Sequence, residues 1–236
     1  MQENRKRLFA ISDLHLPGGK DKYMDIFGAQ WEGHFDKIKV DWVSRVEDDD
    51  IVLIPGDISW AMTLEGAVED LLSIGELPGY KVLLRGNHDY WWSSISKLRS
   101  VLPEKMYAIQ NDAILIGNYA ICGSRGWAIT EGETAEADKK IYDRELIRME
   151  MSLNRANVIN DGRKIIAMMH FPPLDNSCED TLFTSLFEKH GVSYVVYGHL
   201  HDRGTLSAFC GVKSEINYQL VSCDYLGFKL FELGDF

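Results

Sequence analysis

Five short apolar runs in this chain each end at a residue able to ligate a metal ion, or at the turn leading to one. That repeated junction constrains the fold more than any other feature. Leu8–Ser12 stops at Asp13-Leu14-His15, and Ile51–Ile54 at Pro55-Gly56-Asp57. Lys81–Leu84 leads through Arg85 to Gly86-Asn87-His88-Asp89, Ile165–Met169 stops at His170, and Tyr194–Tyr197 at Gly198-His199-Leu200-His201. Each run is four or five residues, rich in Val, Ile, Leu or Met, with polar ends. Such runs read as strands buried on both faces. In α/β proteins, sites form at the carboxyl ends of strands, so five strand ends are expected to converge on one edge.

Helical spacing fills the intervals. Phe35–Val46 places Phe35, Ile38, Trp42, Val43 and Val46 three and four apart. Thr63–Ile74 repeats the pattern with Leu64, Val68, Leu71 and Leu72, with Thr63 as N-cap and Glu65 in the first turn. Trp91–Leu102, Ala135–Val158 and Thr181–Lys189 read the same way. Ile114–Cys122 and Asn217–Phe231 read as successive strands without a helix between them, which predicts antiparallel pairing. The order is βαβαβα, then a hairpin, a long helix and more strands: an α/β fold in a single domain over residues 1–236. Two stretches fit neither period. Leu16–His34 carries Tyr23, Phe27 and Trp31, and Ser124–Thr134 carries Arg125 and Trp127. Long loops at strand carboxyl ends are expected as lids or substrate walls.

The net charge of −11 argues against a broad basic face for duplex nucleic acid or an anionic membrane. No apolar run approaches the roughly 18 residues of a membrane span. Cys122, Cys178, Cys210 and Cys223 form no CxxC pair, as expected of thiols in a reducing compartment. The polar start, Met1-Gln2-Glu3-Asn4-Arg5-Lys6-Arg7, has no secretory signal, so a cytoplasmic location is expected. A small anionic substrate stays compatible with this charge, because bound metals reverse the sign locally.

The clusters carry the chemistry. Asp13 and His15 lie two apart beyond a strand, and in extended geometry both side chains point the same way. The same reasoning pairs His199 with His201. Asp57 alone would be an ordinary turn residue, and His170 alone a buried histidine. Gly86-Asn87-His88-Asp89 is sharper: Gly86 permits a tight turn, Asn87 offers an uncharged oxygen, and Asp89 can orient the His88 imidazole. Of seven histidines, five fall in these clusters; His34 and His190 lie in helical contexts and are assigned no role. Two Asp, one Asn and four His suffice for two metal ions, whose established use is phosphate-ester hydrolysis.

The ordered pattern D-x-H, G-D, G-N-H-D, H, G-H-x-H resembles the calcineurin-like metallophosphoesterases, and it spans residues 13–201. The resemblance implies an α/β/β/α sandwich of two central mixed sheets with flanking helices. It also implies one metal held by Asp13, His15, Asp57 and His201, and a second held by Asp57, Asn87, His170 and His199, with Asp57 bridging. A metal-bridging hydroxide would attack phosphorus, and His88, outside the ligand set, would protonate the leaving oxygen or stabilise the charge on it. Two divalent ions with Asp13 and Asp57 leave about +2 in the site, which draws in a phosphate. Mixed nitrogen and oxygen ligands favour Mn or an Fe-containing pair, with Zn the third candidate, over Ca or Mg.

The substrate expected is a small phosphate ester, with a phosphodiester first and a phosphomonoester or phosphoprotein as the alternative. A scaffold of this fold without catalysis would lack ligands or the His of Gly-Asn-His-Asp, and neither is seen. No nucleic-acid groove is evident. Arg203, two residues past His201, is the first choice for a phosphate contact, followed by Arg85, Arg125 and Arg144. Trp31 and Trp127 are candidates for stacking on a base, whereas Trp91 and Trp92 read better as packing residues.

Overall fold

All five apolar runs form strands in the computed structural model, which describes residues 6–19, 24–128 and 135–234. In chain order come β1 (Leu8–Ala10), α1 (His34–Arg45), β2 (Ile51–Pro55), α2 (Leu64–Gly75), β3 (Tyr80–Leu84) and α3 (Ile95–Arg99). Next are β4 (Met106–Ala108), β5 (Ala113–Ile116), β6 (Tyr119–Ser124), α4 (Ala135–Ile159), β7 (Lys164–Met169) and α5 (Leu182–His190). The last are β8 (Val192–Tyr197), β9 (Gly211–Lys213), β10 (Ile216–Leu220) and β11 (Phe231–Leu233). Among the described residues, no helix is long and apolar enough to cross a membrane.

One sheet runs β11-β1-β2-β3-β4 and is parallel except where β11 lies antiparallel to β1. The other runs β5-β6-β7-β8-β10-β9, parallel from β6 to β10, with antiparallel edges at β5 and β9. Alternate residues of each central strand enter different layers. On β2, Ile51 and Leu53 face the layer between the sheets, while Val52 and Ile54 pack under Ile38 and Trp42 of α1 and Leu71 and Ile74 of α2. On β7, Ile166 and Met168 face the first sheet, while Ile165, Ala167 and Met169 pack under Met149 and Leu153 of α4 and Phe183 and Phe187 of α5. The result is helices, sheet, sheet, helices. Each buried Ile, Leu or Val contributes about 1.5–3 kcal/mol, which is why these strands read as unbroken apolar runs.

The helix ends follow local chemistry. Thr63 caps α2 by accepting from Gly66 N at 3.2 Å. Thr181 and Thr184 form a reciprocal capping box at the start of α5, and Gly191 closes that helix in a left-handed conformation.

Two expectations need correction. The helical spacing over Trp91–Leu102 yields only Ile95–Arg99, started by Ser94. Trp91 and Trp92 precede it, drawn into the core, where Trp91 Nε1 donates to Asp89 Oδ1 at 3.0 Å and Trp92 Nε1 to Gln110 Oε1 at 2.8 Å. Burial of two indoles outweighs the propensity of one helical turn. Within Asn217–Phe231, β10 does not pair with its successor. It lies parallel to β8, and β11 crosses to the other sheet. The expected antiparallel hairpin is correct for β5 and β6.

Candidate metal centre and active site

The predicted ligands meet where the carboxyl ends of the two sheets face each other. Ligand atoms of Asp13, His15 and His201 lie within 4.8 Å of one another, as do those of Asp13, Asp57 and His170. Asn87 Oδ1 is 2.7 Å from His170 Nε2 and 3.0 Å from His199 Nδ1, which brings the remaining two into the cluster. His170 Nε2 lies 3.4 Å from Asp57 Oδ2, His15 Nε2 3.9 Å from Asp57 Oδ2, and His201 Nε2 3.3 Å from Asp13 Oδ1.

The backbone reaches this arrangement by turns, not by continued strand. Asp13, His15, Asp57 and His199 have φ of 59°, 46°, 51° and 73°, the left-handed region, at a cost of order 1 kcal/mol or more each. The extended geometry expected for Asp13 and His15, and for His199 with His201, is therefore absent. Both reach the cluster because their loop is laced to the next: Asp13 N donates to Gly56 O and His15 N to Asp57 O, each at 3.0 Å. Two glycines are needed for close approach. A Cβ on Gly86 would overlap the Asp57 carboxylate and amide, and one on Gly198 would strike the side chains of Asp13 and Ser12.

From its place beside His88 in the sequence, Asp89 is expected to orient that ring. Its fully buried carboxylate instead accepts the amides of Gly86 (2.7 Å), Asp57 (2.9 Å), Ile58 (2.9 Å) and Ser59 (3.2 Å), and the Trp91 indole. Burial and then the Asp57 charge push its pKa up to about 6, against the pull of these bonds. Asp89 thus clamps the Asp57 loop onto the Gly86 turn. His88 is positioned otherwise: its amide donates to Asp57 Oδ1 at 2.8 Å, and its ring packs 4.6 Å from that of Trp60. Its Nδ1 is buried with no hydrogen-bond partner among the described residues.

Two residues escaped the sequence reading. Asp224 Oδ1 lies 2.8 Å from His201 Nδ1 and orients that ring, as partners of metal-binding histidines do. Its signal was available, because Asp224 follows the carboxyl end of β10. Trp60 stacks on His15 with centroids 4.8 Å apart and an interplanar angle of 19°. No sequence signal marks it. His34, assigned no role, bonds the carbonyls of Leu14 and Trp31 and pins the first loop.

A cavity of about 260 Å³ opens onto the cluster. His15, Asp57, His88, His199 and His201 line it together with Met24, Phe27, Trp31 and Trp60. The loop after β1 is therefore a wall, although Tyr23 lies outside the described residues. The second expected loop is described only as far as Ala128, and residues 129–134 lie outside. Within it, Trp127 Nε1 bonds Asp138 and its ring packs on Phe171. Arg203 is exposed on the turn after His201 and lines neither this cavity nor a second, arginine-lined one. Arg85, Arg125 and Arg144 line that second cavity together.

The electrostatics test whether a cation fits. Burial works to deprotonate His170, but the Asp57 charge and hydrogen bond override it and raise the pKa to about 9. Against the same burial, bonds that His201 donates to Asp13 and Asp224 raise its pKa to about 10. Burial prevails at His15 and His199, which fall to about 4. Asp13 is held well below the usual carboxylate range by His201, His170 and His15 despite complete burial. Two imidazoles are therefore neutral, as ligands must be, and two buried carboxylates hold protons on the other pair. A divalent cation meets the same demand for positive charge and displaces those protons.

A family model described as calcineurin-like phosphoesterase matches residues 6–203. The chain belongs to the calcineurin-like phosphoesterase family. No curated protein matches it. Among solved structures, the protein of unknown function AQ665 from Aquifex aeolicus is similar, with a TM-score of 0.51 at 15% identity over 97% of this chain and 96% of that one. At that identity the likeness shows the fold. Calcineurin-like phosphoesterases typically bind a dinuclear metal centre. The donor set here fits one: carboxylates, an amide oxygen and imidazoles gathered at ligand spacing.

Proposed function

We propose that the protein hydrolyses small phosphodiesters, with His88 protonating the leaving oxygen. The observation that carries this reading is the position of His88. It lines the cavity beside the ligand cluster, with its amide bonded to Asp57 Oδ1 and its ring held against Trp60. Asp13, His15, Asp57 and His201 would hold one metal, and Asp57, Asn87, His170 and His199 the other. Mn or Fe suits this mixture of nitrogen and oxygen donors. Two such ions, when bound, would supply a water deprotonated near neutral pH and would polarise the phosphoryl oxygens.

The chain's own residues do the rest. His88 faces the leaving oxygen and supplies a proton as the bond to phosphorus breaks. Met24, Phe27, Trp31 and Trp60 exclude water and accept an apolar or flat ester group. No Lys or Arg lines this cavity among the described residues, and Asp202 lies at its rim. A diester with one negative charge therefore suits it better than a doubly charged monoester.

The test is hydrolysis of bis-p-nitrophenyl phosphate against p-nitrophenyl phosphate. Turnover of the diester is expected to be faster, to stop on chelation and to return with Mn. Faster monoester turnover would reverse the substrate assignment, and silence across a panel of mono- and diesters would sink the enzyme reading.

A further inference from the structure

At the carboxyl ends of β3 and β6, against α4, lies a polar cavity of about 410 Å³. Arg85, Arg125, Arg144 and Arg148 all line it. Among the described lining residues one carboxylate, Glu145, faces these four charges. Glu145 is nearly fully buried and already engaged: its Oε1 lies 2.6 Å from Arg148 Nη1 and 3.5 Å from Arg125 Nη2, and its Oε2 accepts from Ser124 at 2.7 Å. Its described lining therefore carries a surplus of about three positive charges in a chain of net charge −11. Burial disfavours the Arg125 charge, and the other three arginines oppose it further. The Nε atoms of both Arg85 and Arg125 are buried and have no partner among the described residues. Four guanidinium groups so placed repel one another and leave donors unmatched. An oxyanion resolves both, because carboxylate and phosphate match the guanidinium fork.

The cavity is built on the backbone of the ligand cluster. Arg85 precedes Asn87 by two residues, at most about 7 Å of chain. Arg125 O accepts the amides of His170 at 3.0 Å and Phe171 at 2.9 Å. We propose that this cavity is an anion subsite that holds a second phosphate or carboxylate of the substrate while the scissile diester lies at the ligand cluster. The substrate class is then a phosphodiester bearing a further anionic group. The inference rests on the phosphoesterase reading above.

Two measurements on metal-loaded protein test it. Calorimetric titration with inorganic phosphate is expected to show two sites per chain. One of them should weaken at least tenfold in Arg125→Lys, which keeps charge but loses the fork, and about threefold in Arg144→Ala, whose side chain is exposed. A single site in wild type, or a second site indifferent to both substitutions, overturns the subsite. Kinetics then assign its occupant. Propyl p-nitrophenyl phosphate is compared with ω-phosphonoalkyl p-nitrophenyl phosphates of two to six carbons. At the best length the phosphono ester should have at least tenfold higher kcat/KM, and Arg125→Lys should reduce that ratio about tenfold. An unchanged ratio beside a weakened phosphate site overturns the substrate assignment. If neither ester is hydrolysed, the phosphoesterase reading fails instead, while the phosphate titration still judges the cavity.

Discussion

Replacing His88 with alanine is expected to lower kcat by about 10²–10⁴-fold while bound metal stays at the wild-type level. The two halves have separate causes. The imidazole makes no bond to a predicted ligand, so its loss removes the proton donor and leaves the ligand cluster. What His88 gives to that cluster is its backbone amide, donated to Asp57 Oδ1, and alanine keeps it. A leaving group of low pKa needs little protonation, so the defect should be larger for an alkyl than for a p-nitrophenyl leaving group. Kinetics with both esters, beside metal analysis of the same samples, check this. Loss of metal in His88→Ala would make His88 part of the metal site. Equal defects with both leaving groups would remove its role as proton donor.

Asp89→Asn is expected to act on stability first. The carboxylate accepts five N–H groups, two at Oδ2 and three at Oδ1. An amide nitrogen at either position points hydrogens at donors and orphans at least two of them, at about 1–3 kcal/mol each in a buried site. For a domain of this size each kcal/mol moves Tm by about 2–4 °C, so a fall of about 5 °C or more should appear in calorimetry. The Asp57 loop would loosen from the Gly86 turn, and metal affinity should fall with it. An unchanged Tm beside a large loss of kcat would return Asp89 to the task of orienting His88.

The strands and the ligand clusters were legible in the sequence because both obey short-range rules. A strand buried on both faces is an apolar run, and a parallel sheet delivers its chemistry at the residue after each run. His170 shows the strength of combining them: alone it reads as a buried histidine, and only the strand end before it brings it to the cluster. What was missed depends on long-range geometry. Asp89 stands beside His88 in sequence, yet its partners at Asp57, Ile58 and Ser59 come from about 30 residues earlier, across the β2–β3 pairing. Trp60 meets His15, and Asp224 meets His201, only once two loops are laid together. The grouping of the arginines depends on the same long-range geometry. Arg203 is near His201 along the chain, but Arg85, Arg125 and Arg144 share a cavity. Arg148, one helical turn beyond Arg144 on α4, was there to be read from the i,i+4 spacing.

Bound metal in dialysed, Mn-loaded protein, counted per chain, tests the dinuclear centre most directly. Two ions in the wild type and fewer than one in Asp57→Asn are predicted, because Asp57 faces both His15 and His170 and would be shared by both sites. One ion or none in the wild type, or two retained in Asp57→Asn, would contradict it.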